Sequence, residues 1–126
     1  MKGTKLIEVE ELNESLLQEV VKRIVAAVNP VRIILFGSQA YGEPHKGSDL
    51  DILVIMDNDL SSRYETAVEV YRALRGIHIS KDVIVATPYQ LEEWRNVPQA
   101  LITKIATDGK VIYEREDRLP LGKDQK

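Results

Sequence analysis

Apolar residues recur at helical spacing near the beginning of the chain. Between Leu16 and Val28 they return every three or four positions, as on one face of an α-helix. The residues are Leu16, Leu17, Val20, Val21, Ile24, Val25 and Val28. Asn13 suits the N-cap, and Asn29-Pro30 ends the pattern. The sequence therefore predicts an amphipathic helix whose apolar face packs on a sheet.

Short runs rich in apolar and β-branched residues predict strands at four later places. Residues 31–36 and 50–56 are almost continuously apolar, as expected for buried strands. A third strand is predicted within residues 77–86, where Asp82 comes just before an apolar run. Residues 111–113 predict a last strand at a sheet edge.

Ser62 and Glu65 form a capping-box pattern that predicts a helix over residues 63–75. One side of that helix is predicted to carry Tyr64, Ala67, Val68, Tyr71 and Leu74. Gly76 suits the position after its end. The two tyrosines are therefore expected in the core or at an interface.

Thr87-Pro88 with Gln90 predicts a second capped helix, in which Trp94 anchors the packing beneath the sheet. A further helix is predicted to begin at Val97-Pro98 and to end at Gly109. Its inward residues are Leu101, Ile102 and Ile105. The elements together predict an α/β (α+β) domain in which three to four short strands are flanked by helices.

The composition of the 126 residues limits what this domain can be. Residues 1–114 are expected to form one domain, and residues 115–126 a charged, poorly ordered tail. The net charge of −3 gives no basic excess for direct binding to nucleic acid. The lack of cysteine excludes disulfides and thiolate chemistry. No membrane-spanning or secretory segment is seen, so a cytoplasmic protein is expected.

Asp49 and Asp51 carry the first candidate chemistry. Residues two apart in a strand point to the same side, so both carboxylates project together from the start of the second predicted strand. Their charges repel unless a cation lies between them. Oxygen-only ligands favour Mg²⁺, Mn²⁺ or Ca²⁺ over Zn²⁺. Mg²⁺ typically binds one or two carboxylates together with phosphate oxygens, and this pair could supply those carboxylates.

Gly37-Ser38 supplies a candidate phosphate site. A glycine after a strand lets the backbone turn and approach a phosphate closely, and the N–H groups of the helix turn expected next favour an anion. The Ser38 hydroxyl is a further donor. Ser48 either caps a turn through Asp49 or contacts phosphate.

Asp82 is the best candidate for a third carboxylate. It lies at a predicted strand end, where it could ligate a second metal beside Asp51 or accept a proton from an attacking hydroxyl. Two-metal sites stabilise both the attacking and the leaving oxygens of an in-line displacement. The expected reaction is attack of a hydroxyl on the α-phosphorus of ATP, with release of pyrophosphate.

The Gly-Ser pair and the three aspartates closely resemble the motif of the DNA polymerase β nucleotidyltransferase superfamily. These residues are Gly37, Ser38, Asp49, Asp51 and Asp82. The short chain and the flanking Ala40, Gly42 and Ser48 resemble its minimal nucleotidyltransferases, the MNT group. The resemblance spans about residues 31–86 and implies a small mixed sheet.

The resemblance also implies the ligands and the role. ATP would be the substrate, and two Mg²⁺ ions would be held by the three aspartates. The partner implied is a HEPN-family toxin, of which a tyrosine receives AMP, so that the chain acts as its antitoxin. A separate partner would supply the acceptor surface that a chain of 126 residues lacks.

Two departures from the family leave other functions open. Many relatives carry arginines where this chain has Gln39 and Tyr41, and Lys46, Arg32 or Lys81 are the candidates to compensate. One alternative is an antitoxin that neutralises its partner by occlusion without catalysis. Another is a nucleotidyltransferase acting as a homodimer on an aminoglycoside-like hydroxyl. The oligomeric state, homomeric or heteromeric, stays open.

Overall fold

The computed structural model describes residues 7–8, 14–37, 50–95, 97 and 101–116. In this part of the chain the elements are β1 (Ile7–Glu8), α1 (Glu14–Val28), β2 (Arg32–Phe36), β3 (Leu50–Ile55), α2 (Arg63–Ala73), β4 (Ile77–His78), β5 (Lys81–Ala86), α3 (Pro88–Trp94), α4 (Leu101–Asp108) and β6 (Lys110–Glu114). The predicted cap Asn13 lies outside the described residues, as do residues 117–126 of the predicted tail 115–126.

The main sheet has four strands in the order β5-β3-β2-β6. Strand β2 is antiparallel to both β3 and β6, whereas β3 and β5 are parallel. The parallel pair is joined through α2, as a parallel connection requires a crossover. The predicted mixed α/β architecture of three to four strands is therefore confirmed.

A second, two-stranded sheet pairs β1 with β4 in parallel. Neither strand is predicted from the sequence as a separate element. Each has two residues, which is too short for a period of alternating side chains to be recognised.

Strand β3 is buried on both faces and supplies the centre of the core. Leu50, Ile52 and Val54 lie in the apolar cluster that includes residues of α1 and α2. Leu53 and Ile55 lie in a second cluster, which includes residues of α3 and α4. Burial on both faces explains why this segment is almost continuously apolar. The sheet is consequently a middle layer between two pairs of helices.

Helix α1 packs along α2 and ends where the sequence predicts. Val20 and Ile24 are fully buried, and Asn29 after the helix has a positive φ of 50°. Arg23 forms a 2.8 Å ion pair with Glu19 and donates a 3.1 Å hydrogen bond to the Arg75 carbonyl oxygen. The Arg23 side chain thus connects α1 to the segment that follows α2.

Helix α2 begins at the predicted cap, but its buried face matches the predicted side only in part, at Leu74 and Ala67. The Ser62 Oγ accepts a hydrogen bond from the Glu65 N–H at 3.1 Å. The buried residues are Thr66, Val70 and Leu74, whereas Tyr64 is 78% and Tyr71 42% exposed. Neither tyrosine is buried in the core of this chain, and a position at an interface with a partner stays a prediction. Thr66 can take a core position because its hydroxyl donates to the Ser62 carbonyl oxygen at 2.9 Å.

Helix α3 has the predicted capping box. The Gln90 N–H donates to the Thr87 Oγ1, and the Thr87 N–H donates to the Gln90 Oε1 at 3.0 Å. Trp94 is 44% exposed, so the prediction that it anchors the packing beneath the sheet is wrong. The side chain of Ile105 in α4 is buried there instead.

The residues after α4 close the sheet at its second edge. Gly109 lies so close to β2 that an added Cβ would be 2.5 Å from Ile34 Cγ2. Strand β6 then pairs with β2, as predicted for a last edge strand. Arg115 follows it and forms a 2.9 Å ion pair with Asp57.

The side chain of Leu101, predicted to face inward, lies outside the described residues. No described helix is long and apolar enough to span a bilayer.

Candidate active site

Asp51 and Asp82 are paired side by side in the sheet. Each is the second residue of its strand, and the parallel register of β3 and β5 places them directly opposite each other. Paired residues of neighbouring strands project from the same face, and the strands are about 4.8 Å apart. The two carboxylates that the sequence assigned to one site are therefore brought together.

The backbone fixes this register immediately before the two aspartates. The Leu50 N–H donates a 2.7 Å hydrogen bond to the Ser80 carbonyl oxygen. Asp82 was expected at a strand end, just before an apolar run, and it is the second residue of β5. Because it lies within the ladder, its Cα position is set by the neighbouring strand β3.

Gly37 lies against the Asp51 carboxylate at the end of β2. Its φ of +80° falls in the left-handed region, which disfavours residues with a Cβ. A Cβ added there would also overlap Asp51 Oδ2. Two independent constraints thus favour glycine here, and the backbone at Gly37 lies close to the Asp51 carboxylate.

Three of the predicted site residues cannot be placed. Ser38, Ser48 and Asp49 lie outside the described residues, and their roles stay predictions. In the chain, Ser38 directly follows Gly37 and Asp49 directly precedes Leu50.

Two of the three basic residues considered as substitutes for the missing arginines are engaged elsewhere. Arg32 begins β2, at the end opposite Gly37, and forms a 2.8 Å ion pair with Glu114. Lys81 Nζ donates to the Ile77 and Ile79 carbonyl oxygens at 2.6 and 2.9 Å. Burial lowers the pKa of the Lys81 ammonium. Lys46 lies outside the described residues.

The donor set fits a hard divalent cation. Asp51 is half-buried and Asp82 exposed, and both offer carboxylate oxygens. Such ligands suit Mg²⁺ rather than Zn²⁺. No cluster of three or more His, Asp or Glu side chains suited to a metal occurs among the described residues, which do not include Asp49. Asp51 and Asp82 would thus form part of a metal site.

Tyr71 is a neighbour of this site that the sequence analysis did not identify. Its hydroxyl oxygen accepts a 3.1 Å hydrogen bond from the N–H of Val83, the residue after Asp82. A tyrosine at helical spacing predicts a position in the core or at an interface, and nothing in the pattern indicates a bond to a strand distant in sequence.

A groove of about 390 Å³ lies far from these residues, between α1 and β6. It is lined by Glu14, Leu17, Gln18, Val21, Lys22, Lys110, Val111 and Ile112. Strand β6 is at the sheet edge opposite β5, so this groove is separate from the carboxylate pair.

Comparison with family models gives one match over most of the chain. Residues 18–118 match the model described as Polymerase beta, Nucleotidyltransferase. That span includes all six residues that the sequence analysis assigned to the site. No curated protein matches the chain.

Solved structures share the fold at low sequence identity. A candidate nucleotidyltransferase from Sulfolobus solfataricus is 21% identical, with a TM-score of 0.56 and 80% of each chain covered. A toxin–antitoxin crystallised with AMP-PNP is 24% identical, with a TM-score of 0.54, and 80% of this chain and 75% of that one are covered. A mutant of the toxin–antitoxin MntA-HpeT is 22% identical, with a TM-score of 0.53, and the covered shares are 84% and 76%.

Proposed function

Because the chain belongs to the Polymerase beta nucleotidyltransferase family, we propose that it transfers AMP from ATP to a tyrosine of a HEPN-family toxin and thereby acts as an antitoxin. The observation that carries this proposal is the pairing of Asp51 with Asp82 beside Gly37. The fold likeness to two toxin–antitoxin structures, one of them with AMP-PNP, supports the cellular role.

The three aspartates would hold the metal ions. Asp49, Asp51 and Asp82 together would bind two Mg²⁺, which when bound neutralise charge on the phosphate oxygens. The backbone at Gly37 and the hydroxyl of Ser38 would bind the β- and γ-phosphates, and Ser48 is a further candidate contact. Gly37 is suited to this role because its lack of a side chain leaves the backbone open to a close approach.

The reaction would be a single displacement at the α-phosphorus. The tyrosine oxygen forms a bond to that phosphorus, and the bond from the phosphorus to the bridging oxygen of pyrophosphate breaks. The phenolic proton passes to the Asp82 carboxylate, which is exposed and can meet an acceptor from solvent. The products are a tyrosine–AMP diester and pyrophosphate.

Incubation with labelled ATP, Mg²⁺ and a HEPN-family toxin tests this proposal. We expect label on the toxin and a mass increase of one or more AMP groups at tyrosine. Asp51→Asn and Asp82→Asn should abolish the transfer, whereas Asp59→Asn, at an exposed loop position, should not. A wild-type chain that transfers no label to any HEPN-family protein would contradict the proposed reaction.

Neutralisation by occlusion is the second candidate function. It is favoured by one observation, that Arg32 and Lys81 are both engaged away from the carboxylate pair. In cells that express the toxin, an Asp51→Asn variant that restores growth as well as the wild type does would support occlusion. Loss of protection in that variant, with toxin binding retained, would support catalysis.

A further inference from the structure

Asp82 lies on an edge strand of the sheet. Strand β5 pairs with β3 on one side only, so the outer backbone groups of β5 have no neighbouring strand in the main sheet. The Asp82 side chain is exposed, and among the described residues it has no hydrogen-bond or ion-pair partner. Its carboxylate position therefore depends on the backbone of β5.

Tyr71 takes the place of a neighbouring strand at one point of this edge. Successive residues of a strand direct their N–H groups to opposite edges. The Val83 N–H is directed away from β3 and donates to the Tyr71 hydroxyl oxygen at 3.1 Å. Helix α2, which carries Tyr71, packs against β5 through the core on the face opposite Asp82.

Lys81 holds the chain on the other side of Asp82. Its Nζ donates to the carbonyl oxygens of Ile77 and Ile79, which closes the turn between β4 and β5. Ser80, within the same turn, accepts the Leu50 N–H. The residue before Asp82 is thereby tied to the turn, and the turn is tied to β3.

We propose that Tyr71 and Lys81 are positioning residues, which hold the β5 backbone on either side of Asp82 and so set its carboxylate relative to that of Asp51. The geometric part of this inference concerns the chain alone. Its consequence for catalysis rests on the proposed function.

The separation between the Asp51 and Asp82 carboxylates should affect how tightly they bind a shared cation. Two carboxylates bind one ion more tightly when their separation is fixed before binding, because ordering them on binding costs free energy. Loosening the edge strand should weaken cation binding and lower kcat. The KM for ATP should change less, because Gly37 follows the interior strand β2, which has a partner on each side.

The variants Tyr71→Phe and Lys81→Met remove the two sets of hydrogen bonds with little change in shape. Tyr64→Phe is the matched control, because it is the same substitution on the same helix at a residue that is 78% exposed. Two readouts do not depend on activity. One is hydrogen exchange of the Val83 amide, and the other is the Mn²⁺ concentration that half-broadens the amide NMR signals of Asp82 and Val83 in the presence of AMP-PNP.

Tyr71→Phe is expected to accelerate exchange at Val83 and to raise the half-broadening Mn²⁺ concentration about three- to tenfold, the range for losing one hydrogen bond. Lys81→Met should raise that concentration similarly, and Lys81→Arg should restore it in part. Tyr64→Phe should match the wild type in both measurements.

Unchanged Mn²⁺ broadening in Tyr71→Phe would overturn the inference, whether or not exchange at Val83 becomes faster. An equal change in Tyr64→Phe would overturn it as well, because the effect would not be specific to the bond with Val83. If Mn²⁺ broadening depends on Tyr71 but the wild type transfers no AMP, the positioning role stands and the proposed function fails.

Discussion

Asp51 and Asp82 are direct neighbours in a parallel register of two strands, so their carboxylates share one face of the sheet. Like charges this close repel each other unless a cation or another positive group compensates them. As proposed metal ligands, the two carboxylates would share a bound cation, which would offset that repulsion. We therefore expect metal binding at this pair to stabilise the fold.

Asp82→Asn should separate these two effects. In the presence of a chelator, the variant is expected to melt at the same temperature as the wild type or slightly above it, because one repulsive charge is removed. Added Mg²⁺ or Mn²⁺ should raise the melting temperature of the wild type more than that of the variant, since a ligand stabilises the state that binds it. Differential scanning calorimetry with and without metal measures both. An equal rise in the two proteins would contradict a role for Asp82 as a ligand.

Gly37→Ala should weaken cation binding as well as lower the stability of the fold, which backbone strain alone would not do. Gly37 and Gly76 have positive φ values of 80° and 96°, so alanine at either position costs about 1 kcal/mol in strain. Only at Gly37 does the new Cβ overlap Asp51 Oδ2. We expect Gly76→Ala to lower stability alone, and Gly37→Ala to lower stability and cation binding together. Urea unfolding and Mn²⁺ titration of both variants provide the comparison.

The buried face of α2 can be checked by a pair of truncations. Val70 is fully buried, and Val70→Ala should cost about 1–3 kcal/mol in the free energy of unfolding. Tyr64 is 78% exposed, and Tyr64→Ala should change that free energy by less than about 0.5 kcal/mol. Urea denaturation of the two variants measures both values. A larger loss for Tyr64→Ala would restore the tyrosine face as the packed one.

The contribution of Glu19 to stability should depend on pH. The hydrogen bond from Arg23 holds the pKa of the Glu19 carboxyl below its usual 4.5. A carboxyl with a lowered folded-state pKa stabilises the fold above its unfolded pKa, and this stabilisation is lost as the pH falls through the folded value. The pair is partly exposed and screened by solvent, so Glu19→Gln should cost only about 0.3–0.5 kcal/mol near neutral pH. Urea unfolding at decreasing pH should show that difference shrinking, and a constant difference would contradict the assignment.

Elements with a strong local pattern were predictable. Continuous apolar runs gave β2 and β3 because both strands are buried on two faces. Thr87 and Gln90 gave the start of α3 because a capping box involves only neighbouring residues. Asp51, Asp82 and Gly37 could be singled out from the sequence because phosphate and metal chemistry uses those residue types, and their roles in such a site stay predictions.

The remaining features depend on contacts between distant parts of the chain. Helical spacing allowed α2 to bury either its tyrosines or Thr66 and Val70, and packing against α1 and β5 selected the second pair. The register that sets Asp82 beside Asp51, and the bond from Val83 to Tyr71, likewise arise only when β5 pairs with β3 and α2 packs against it. The sequence alone determined which side chains are available for chemistry. Strand pairing and helix packing determined which of those side chains meet, because each depends on contacts between residues far apart in the sequence.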